Sequence, residues 1–181
     1  RNEEYKEVFG DKKTHYIAVV NKKNTIYNPE TLKVLVGLSQ GIEEISDLIE
    51  GNTYSLADSK HIKGTGDFLD VKLLLDEDHV PETQEEIEAF REAVRENPLF
   101  YGKLVSKDNT TAVLSFDVRG DWDKAKTGPM IYELVDKYRT DDIEIHATGA
   151  MVIWDVDQGI AEDFAILIPF AMLLVMVGLF F

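Results

Sequence analysis

The feature that most constrains the fold is the apolar run of residues 164–181, FAILIPFAMLLVMVGLFF, which contains no charged side chain. A helix that crosses a hydrocarbon layer of about 30 Å needs about 20 apolar residues, so the run is just short of a full span. Pro169 does not oppose a span, because prolines are tolerated in membrane helices. We therefore predict that residues 163–181 are the start of a transmembrane helix, with the lipid bilayer as partner of residues 164–181. A buried core helix is the alternative.

The charge of the preceding part limits its partners. The formal net charge of the chain is −15, and every charged residue lies at or before Asp163. Such a surface repels phosphate backbones, which excludes nucleic acid as an expected partner. It also opposes docking on anionic lipid through a basic patch. The chain has no cysteine, which excludes disulfides and thiolate metal sites.

The flank of the apolar run indicates on which side of the membrane the domain lies. The flank carries Asp155, Asp157, Glu162 and Asp163, whereas the nearest basic residue is Arg139. Acidic flanks without basic residues fit the extracytoplasmic side. Because the sequence begins at an arginine and not at a methionine, and stops inside the apolar run, we expect a fragment of a longer protein.

The first long helix has a clear start and a clear apolar face. Asn28 is a typical N-cap, and Pro29 suits the first helical position. Gly37 and Gly41, four residues apart, would allow a neighbouring element to approach closely. We expect the helix to end at the Gly51-Asn52 pair. Its apolar stripe consists of Leu35, Leu38, Ile42, Ile45 and Ile49.

Two later helices also have start signals. Thr83 and Glu86 form a capping-box pattern, and Pro129 is expected to start the next helix. The remaining patterns predict these elements: a short helix over residues 1–9, strands over 15–20, 54–62, 101–106, 111–118 and 143–147, and a helix that starts at Ala150. Residues 68–75 fit either a strand or a helix.

The order of the predicted elements indicates an α+β fold. It is strand-helix-strand, helix, then strand-strand-helix-strand, which suggests ferredoxin-like split βαβ packing with helices on one face of a mixed sheet. The first strand-helix-strand unit is expected to be parallel and right-handed. The domain would cover residues 1–162, either as a single sheet or as two subdomains at residues 11–64 and 81–149.

The search for catalytic and ligand-binding residues nominates none. His15, His61, His79 and His146 have no partner at metal-ligand spacing, and we interpret them as structural. Residues 64–66, Gly-Thr-Gly, lack the rest of a phosphate-binding motif. No nucleophile motif is present. Acidic runs such as residues 76–78 and 85–86 are interpreted as solvated surface. We therefore predict no catalytic, cofactor-binding or metal residues, no cofactor and no enzymatic activity.

Four stretches together carry a family resemblance. They are residues 26–32 (IYNPETL), which open the first long helix, residues 55–64 after that helix, residues 104–111 (LVSKDNTT), and the segment from Gly149 through the helix to Pro169. In order and spacing, these stretches resemble the first large extracytoplasmic loop of exporters of the resistance-nodulation-division (RND) superfamily, of the MMPL or hydrophobe/amphiphile type.

The resemblance implies a porter domain between the first and second membrane helices of a multi-pass, proton-driven exporter in the cell (inner) membrane. The domain would lie on the periplasmic or extracellular side. The expected partners are a hydrophobic or amphiphilic, often lipid-like, substrate, the rest of the same transporter chain and, as one option, further copies of the chain. The implied role is mechanical, with subdomains that open and close a substrate path and are driven through the helix at Asp163.

Two other functions remain as alternatives at this point. One is an extracytoplasmic sensor or ligand-binding domain that is tethered by a single membrane helix. The other is a membrane-tethered enzyme, which the absence of catalytic motifs disfavours.

Overall fold

A computed structural model describes residues 11–45, 47–65, 68–75 and 78–180, with the backbone alone for residues 61–72, 150–158 and 180. The helix predicted over residues 1–9 lies outside these ranges. The elements are β1 (Lys12–Asn21), α1 (Pro29–Glu43), β2 (Leu48–Tyr54), β3 (Lys60–Thr65), β4 (Phe68–Leu73), α2 (Gln84–Glu96), β5 (Thr111–Arg119), α3 (Lys124–Tyr138), β6 (Ile143–Gly149) and α4 (Ala150–Phe180).

Four of the strands form an antiparallel sheet in the order β2-β5-β1-β6. The α+β class is confirmed, but the expectation of a mixed sheet is wrong, because every pair in it is antiparallel. β5 lies between β1 and β2, so the first strand-helix-strand unit does not pair its own two strands. Two strands of the sheet, β1 and β2, come from the predicted subdomain range 11–64, and the other two, β5 and β6, come from the range 81–149.

Alternation along β1 and β5 explains which face of the sheet is buried. Ile17 and Val19 on β1 are fully buried, as are Leu114 and Phe116 on β5, whereas Tyr16 between the buried positions of β1 is exposed. Since successive side chains of a strand point to opposite faces, one face packs into the core. Helices α1 and α3 contact each other and share this core.

The predicted helix starts at Asn28 and Thr83 are confirmed. The Asn28 side-chain oxygen accepts a hydrogen bond from the Thr31 N–H at 2.9 Å, with Pro29 at the first turn. Thr83 accepts from the Glu86 N–H at 3.2 Å, and the Glu86 carboxylate accepts from the Thr83 N–H at 3.0 Å, which completes the capping box.

The predicted close approach of α1 to a neighbour is also confirmed. A Cβ atom at Gly37 would overlap the ring of Tyr138, and one at Gly41 would overlap Leu134. Both side chains belong to α3. The two glycines therefore allow the Tyr138 and Leu134 side chains of α3 to pack directly against the backbone of α1.

Three predicted boundaries are wrong, and sheet pairing explains the first. Helix α1 ends at Glu43, and Ile49 and Gly51 belong to β2, which pairs with β5. Residues 55–59 form a turn instead of continuing a strand from Tyr54. The third helix starts at its Asp123 N-cap, so Pro129 lies inside α3.

The loop before β5 differs from the hairpin that was predicted there. Residues 101–106 form tight turns, and of the expected strand only two isolated bridges remain, one between Tyr101 and Val105 and one between Val105 and Ala112. Gly102 has a φ of +76°, which a strand does not allow. Residues 68–75, which fit two structures, contain β4, which pairs with β3 in a separate hairpin.

Helix α4 continues without a break through Pro169 to Phe180. Within the described residues, the stretch Gly159–Leu179 is the one helix long and apolar enough to span a membrane, with a mean hydropathy of 2.2. None of it is buried in the structure. Within the described residues this stretch is not a core helix, and it is a candidate membrane span.

Candidate functional site

A cleft of about 920 Å³ opens beside the edge strand of the sheet. We call it the β2 cleft. One part of its lining comes from the end of β2 and the following turn, and the other from the end of α2 and the loop after it. The lining residues are Thr53, Tyr54, Asp58, Ser59, Lys60, Ala93, Glu96, Asn97, Pro98, Leu99, Phe100, Lys103, Leu104 and Ser115.

The two most exposed large hydrophobic side chains described outside α4 line this cleft. Tyr54 is 65% exposed and Leu99 is 63% exposed, more than any other large hydrophobic side chain described outside α4. Beneath them, Phe100 is buried and belongs to the core. Exposed apolar surface in a concave site is typical of ligand-binding sites. The cleft can therefore bind an apolar group without rearranging the core.

A hydrogen-bonded cluster holds the turn that lines the cleft. The Asp58 carboxylate accepts hydrogen bonds from the hydroxyls of Ser39 and Ser55, both at 2.5 Å. The two serine hydroxyls lie 2.8 Å apart, and Ser59 donates to the Ser55 carbonyl oxygen. Since Ser39 belongs to α1, this cluster fixes the turn to the helix. The Asp58 carboxylate is thus engaged inside the protein.

Three charged side chains remain at the rim of the cleft. Lys60 and Lys103 supply ammonium groups from the two separate segments of the lining, and Glu96 supplies a carboxylate at the end of α2. All three residues are exposed. The β2 cleft thus combines an apolar surface with two basic groups and two acidic groups, the acidic ones on Glu96 and Asp58.

A second feature is the joint between the sheet and α4, which we define as Gly149 and the backbone of Thr14 and His15 that it contacts. Gly149 is paired with His15 across the sheet and has a φ of +97°. A Cβ atom at this position would lie 2.5 Å from the Thr14 carbonyl oxygen and 3.1 Å from the His15 Cα atom. The prediction that Gly149 ends the last strand is confirmed. Helix α4 follows at once and lies against β1 and β6.

Of the four histidines, His15 lies deepest. It is 1% exposed, its ring is stacked on Phe116 at 5.2 Å, and it meets the edge of Trp122 at 4.8 Å. Among the described residues, neither ring nitrogen has a hydrogen-bond partner. Burial lowers the pKa of His15 to about 4, against a smaller opposite effect of Asp117. His15 is therefore neutral at pH 7.

This burial predicts a pH-dependent stability. Because the pKa of His15 is about 4 in the fold and 6.5 when exposed, its contribution is present above pH 6.5 and is lost as the pH falls toward 4. We expect the free energy of unfolding to fall by about 2 kcal/mol between pH 7.5 and 5. Denaturant unfolding of the detergent-solubilised chain measures this.

Two variants identify the origin of that slope. His15→Leu, which removes the titrating group from the core, should flatten the profile between pH 7.5 and 5. His146→Gln, at an exposed position on β6, should leave the slope as it is. An unchanged slope in His15→Leu would contradict the assignment to His15.

Among the side chains that the structure describes, the other candidate residues lie apart from one another. His146 lies on β6 as predicted, 3.3 Å from Glu144, and His79 lies 3.3 Å from Glu86. The His61 side chain lies outside the described ones. Among the described residues, no group of three histidine, aspartate or glutamate side chains could hold a metal ion.

Of the acidic runs at residues 76–78 and 85–86, one residue, Glu86, has a structural role. Asp76 and Glu77 lie outside the described residues. Glu86 has a specific role in the capping box, where hydrogen bonds from the backbone N–H groups of Thr83 and Glu82 lower its pKa to about 2. The solvated-surface interpretation is therefore incomplete at Glu86.

Sequence reasoning missed the β2 cleft and the carboxylate of Asp47. The cleft could not be found, because its two parts are far apart in sequence and Tyr54 and Leu99 resemble ordinary core positions. Asp47 could have drawn attention as an isolated acidic residue between Ile45 and Leu48. Comparison of the chain with protein-family models and with curated protein sequences gives no match.

Proposed function

We propose that this chain is the porter domain of a proton-driven RND-type exporter of hydrophobic or amphiphilic, lipid-like molecules. It would comprise the first extracytoplasmic loop and the start of the second membrane helix. The observation that carries the proposal is the direct passage from β6 through Gly149 into the apolar helix α4. Such a passage suits a domain that is moved by a membrane helix.

The strand order supports the finer description of the fold. The units β1-α1-β2 and β5-α3-β6 are interleaved, since each contributes one strand between the two strands of the other. This order is the one expected of a ferredoxin-like split βαβ domain. We propose that fold for the porter domain, with residues 1–162 outside the membrane on the periplasmic or extracellular side.

The proposed role is mechanical and not enzymatic. The β2 cleft would contact the substrate through Tyr54 and Leu99 while α4 transmits movement from the membrane part of the same chain. Movement of a discontinuous or rigid helix against a packed domain is a common means of coupling in transporters. The proton-carrying residues would lie in other membrane helices of the full-length protein.

The sequence that surrounds residues 1–181 in the full-length gene provides one test. We expect an apolar span shortly before Arg1 and several closely spaced spans after Phe181, one of them with an acidic residue at the middle of the membrane. Translation of the flanking gene sequence checks this. A cytoplasmic signalling module after a single span would instead support the sensor or ligand-binding alternative, which the cleft and one membrane helix also suit.

A second test breaks the helix between domain and membrane in the full-length protein. Ala161→Pro removes a backbone hydrogen bond within α4 and is expected to abolish export, because the helix could no longer transmit movement. The thermal midpoint of the soluble domain should stay the same. Export of a fluorescent amphiphile from proteoliposomes measures the effect, with Ala161→Ser as the matched control. Normal export in Ala161→Pro would refute the coupling.

A further inference from the structure

We propose that the side chain of Asn109 is the acceptor of an N-linked oligosaccharide. Asn109, Thr110 and Thr111 form the pattern Asn-x-Thr, which is the acceptor pattern for N-glycosylation. No other asparagine of the chain has a serine or threonine two positions later. The inference rests on the proposed function in one respect, the extracytoplasmic side of the domain, because the acceptor pattern is used in segments that lie outside the cytoplasm.

The acceptor asparagine lies in a tight turn before β5 that other groups hold in place. The Asp108 carboxylate accepts hydrogen bonds from the Ser106 hydroxyl at 2.5 Å and from the Thr110 hydroxyl at 2.9 Å. The backbone N–H of Asn109 donates to the Ser106 carbonyl oxygen at 2.9 Å, and the Asn109 carbonyl oxygen accepts from the Ile26 N–H at 2.8 Å. The turn therefore forms without any contribution from the Asn109 side chain.

The side-chain amide of Asn109 is left available to an enzyme. Among the described residues, no hydrogen bond involves this amide. Asn109 is half-buried, and Lys107 and Asp108 beside it are exposed. The φ of Asn109 is +62°, in the left-handed region where asparagine is enriched. The turn thus presents an unused amide nitrogen at the surface of the domain.

The turn lies at the end of the sheet away from α4. Thr111 pairs with Val20 at one end of β1, whereas Gly149 pairs with His15 toward the other end. At about 3.3 Å per residue, His15 and Val20 are roughly 17 Å apart along the strand. An oligosaccharide on Asn109 is therefore attached away from the joint between the sheet and α4.

The modification is a glycosyl transfer to nitrogen. The donor is an oligosaccharide that is linked through its first sugar to a polyprenyl phosphate or pyrophosphate in the membrane. The Nδ2 atom of Asn109 forms a bond to the anomeric carbon while the bond from that carbon to the phosphate oxygen breaks. The amide gives up one proton to a base of the transferase, and the polyprenyl phosphate or pyrophosphate leaves.

Mass spectrometry of the full-length protein from the membranes of its native host tests the inference. Trypsin cleaves after Lys107 and Arg119, so Asn109 lies in the peptide of residues 108–119. We expect this peptide to carry the mass of an oligosaccharide, which fragmentation should localise to Asn109. The added mass should be lost in Asn109→Gln and in Thr111→Val, whereas Thr111→Ser, which keeps the hydroxyl, should retain it.

The matched variants change the fold little. The Thr111 hydroxyl lies 3.4 Å from the Thr110 hydroxyl, which is a long contact, and valine suits the first position of a strand. Circular dichroism verifies that each variant is folded. Asn24 is an exposed asparagine without a hydroxyl residue two positions later, so it should be unmodified in the same digest.

Three results would overturn the inference. They are a peptide of residues 108–119 that is mainly unmodified, an added mass that persists in Thr111→Val, and an added mass that fragmentation localises to Thr110. The last two would indicate a different chemistry, such as transfer to a hydroxyl oxygen.

The side of the membrane is measured separately, with a thiol in the same turn. Residues 1–181 contain no cysteine, so Lys107→Cys introduces a thiol that a membrane-impermeant maleimide should label in intact cells. Labelling together with an unmodified Asn109 would refute the glycosylation alone. Labelling that requires permeabilised cells would contradict the extracytoplasmic side, and the proposed function with it.

Discussion

Replacing Asp47 with alanine is expected to lower the free energy of unfolding by about 3 kcal/mol. The Asp47 carboxylate accepts hydrogen bonds from the Thr127 hydroxyl at 2.6 Å, from the Arg119 guanidinium at 3.0 Å and from the Asp123 N–H at 3.3 Å. Asp47 precedes β2, and its partners belong to β5 and to the start of α3. One side chain therefore joins three elements.

The large effect follows from what the substitution leaves behind. Asp47 is 6% exposed, and Thr127 is fully buried, so alanine would leave the Thr127 hydroxyl without its acceptor in a dry environment. The N-terminus of α3 would also lose a negative charge that its dipole favours. Denaturant unfolding followed by the fluorescence of the buried Trp122 measures the loss.

Acidification should reproduce part of the same effect. The Thr127 hydrogen bond is the largest of several causes that lower the pKa of Asp47 below its usual value of 3.8. A group with a lowered pKa contributes stability above its unfolded pKa, and this stability is lost as the pH falls further. Wild type should therefore lose more stability than Asp47→Ala between pH 4 and pH 2.

Asp47→Asn is the matched control, because its side-chain oxygen can still accept from Thr127. We expect a loss smaller than that of Asp47→Ala. If alanine and asparagine were equally destabilising, charge and not hydrogen bonding would dominate. A loss below about 1 kcal/mol in Asp47→Ala would contradict the role of this carboxylate altogether.

Replacing Gly149 with valine is expected to destabilise the domain by a similar amount, about 3 kcal/mol, and to lower its thermal midpoint by about 10 °C. Two costs add at this position. A φ of +97° is strained for any residue with a side chain, and the new Cβ atom would lie 2.5 Å from the Thr14 carbonyl oxygen. That oxygen is backbone in the centre of the sheet and cannot move away cheaply.

Two other glycines separate these costs. Gly51 has a φ of +78°, but no atom lies within 4 Å of the place that a Cβ atom would take, so Gly51→Ala reports strain alone. Gly159 lies in α4 in open surroundings, and Gly159→Ala should be neutral or slightly stabilising. Differential scanning calorimetry ranks the three variants. A Gly149→Val chain as stable as Gly51→Ala would show that the joint is less tightly packed than the structure indicates.

Local signals in the sequence were sufficient for several features. The two helix starts were predicted correctly at Asn28 with Pro29 and at Thr83 with Glu86. The capping atoms of each pair lie within one helical turn, so these signals depend on neighbouring residues in the sequence alone. The position of Gly149 at the end of a strand was equally local. These predictions needed no knowledge of neighbouring elements, and the structure confirms them.

Features that depend on pairing could not be predicted in this way. The helical stripe continues to Ile49, yet residues 48–54 form β2 because β5 offers them a partner. In the same way, the pattern of residues 101–106 suits a strand, but the chain forms turns there, with a positive φ at Gly102 and only two isolated bridges, both at Val105. In both segments, tertiary contacts outweigh the local preference of the residues for a helix or a strand.

Composition and periodicity are local properties, and they already predicted the two parts of this chain, an acidic α+β domain followed by an apolar helix. The antiparallel order β2-β5-β1-β6 and the β2 cleft became visible in the folded chain alone. Tyr54 and Leu99 meet there because the edge strand and the loop after α2 come together in the fold. Contact between segments that are far apart in the sequence depends on tertiary packing, and local sequence patterns do not predict it.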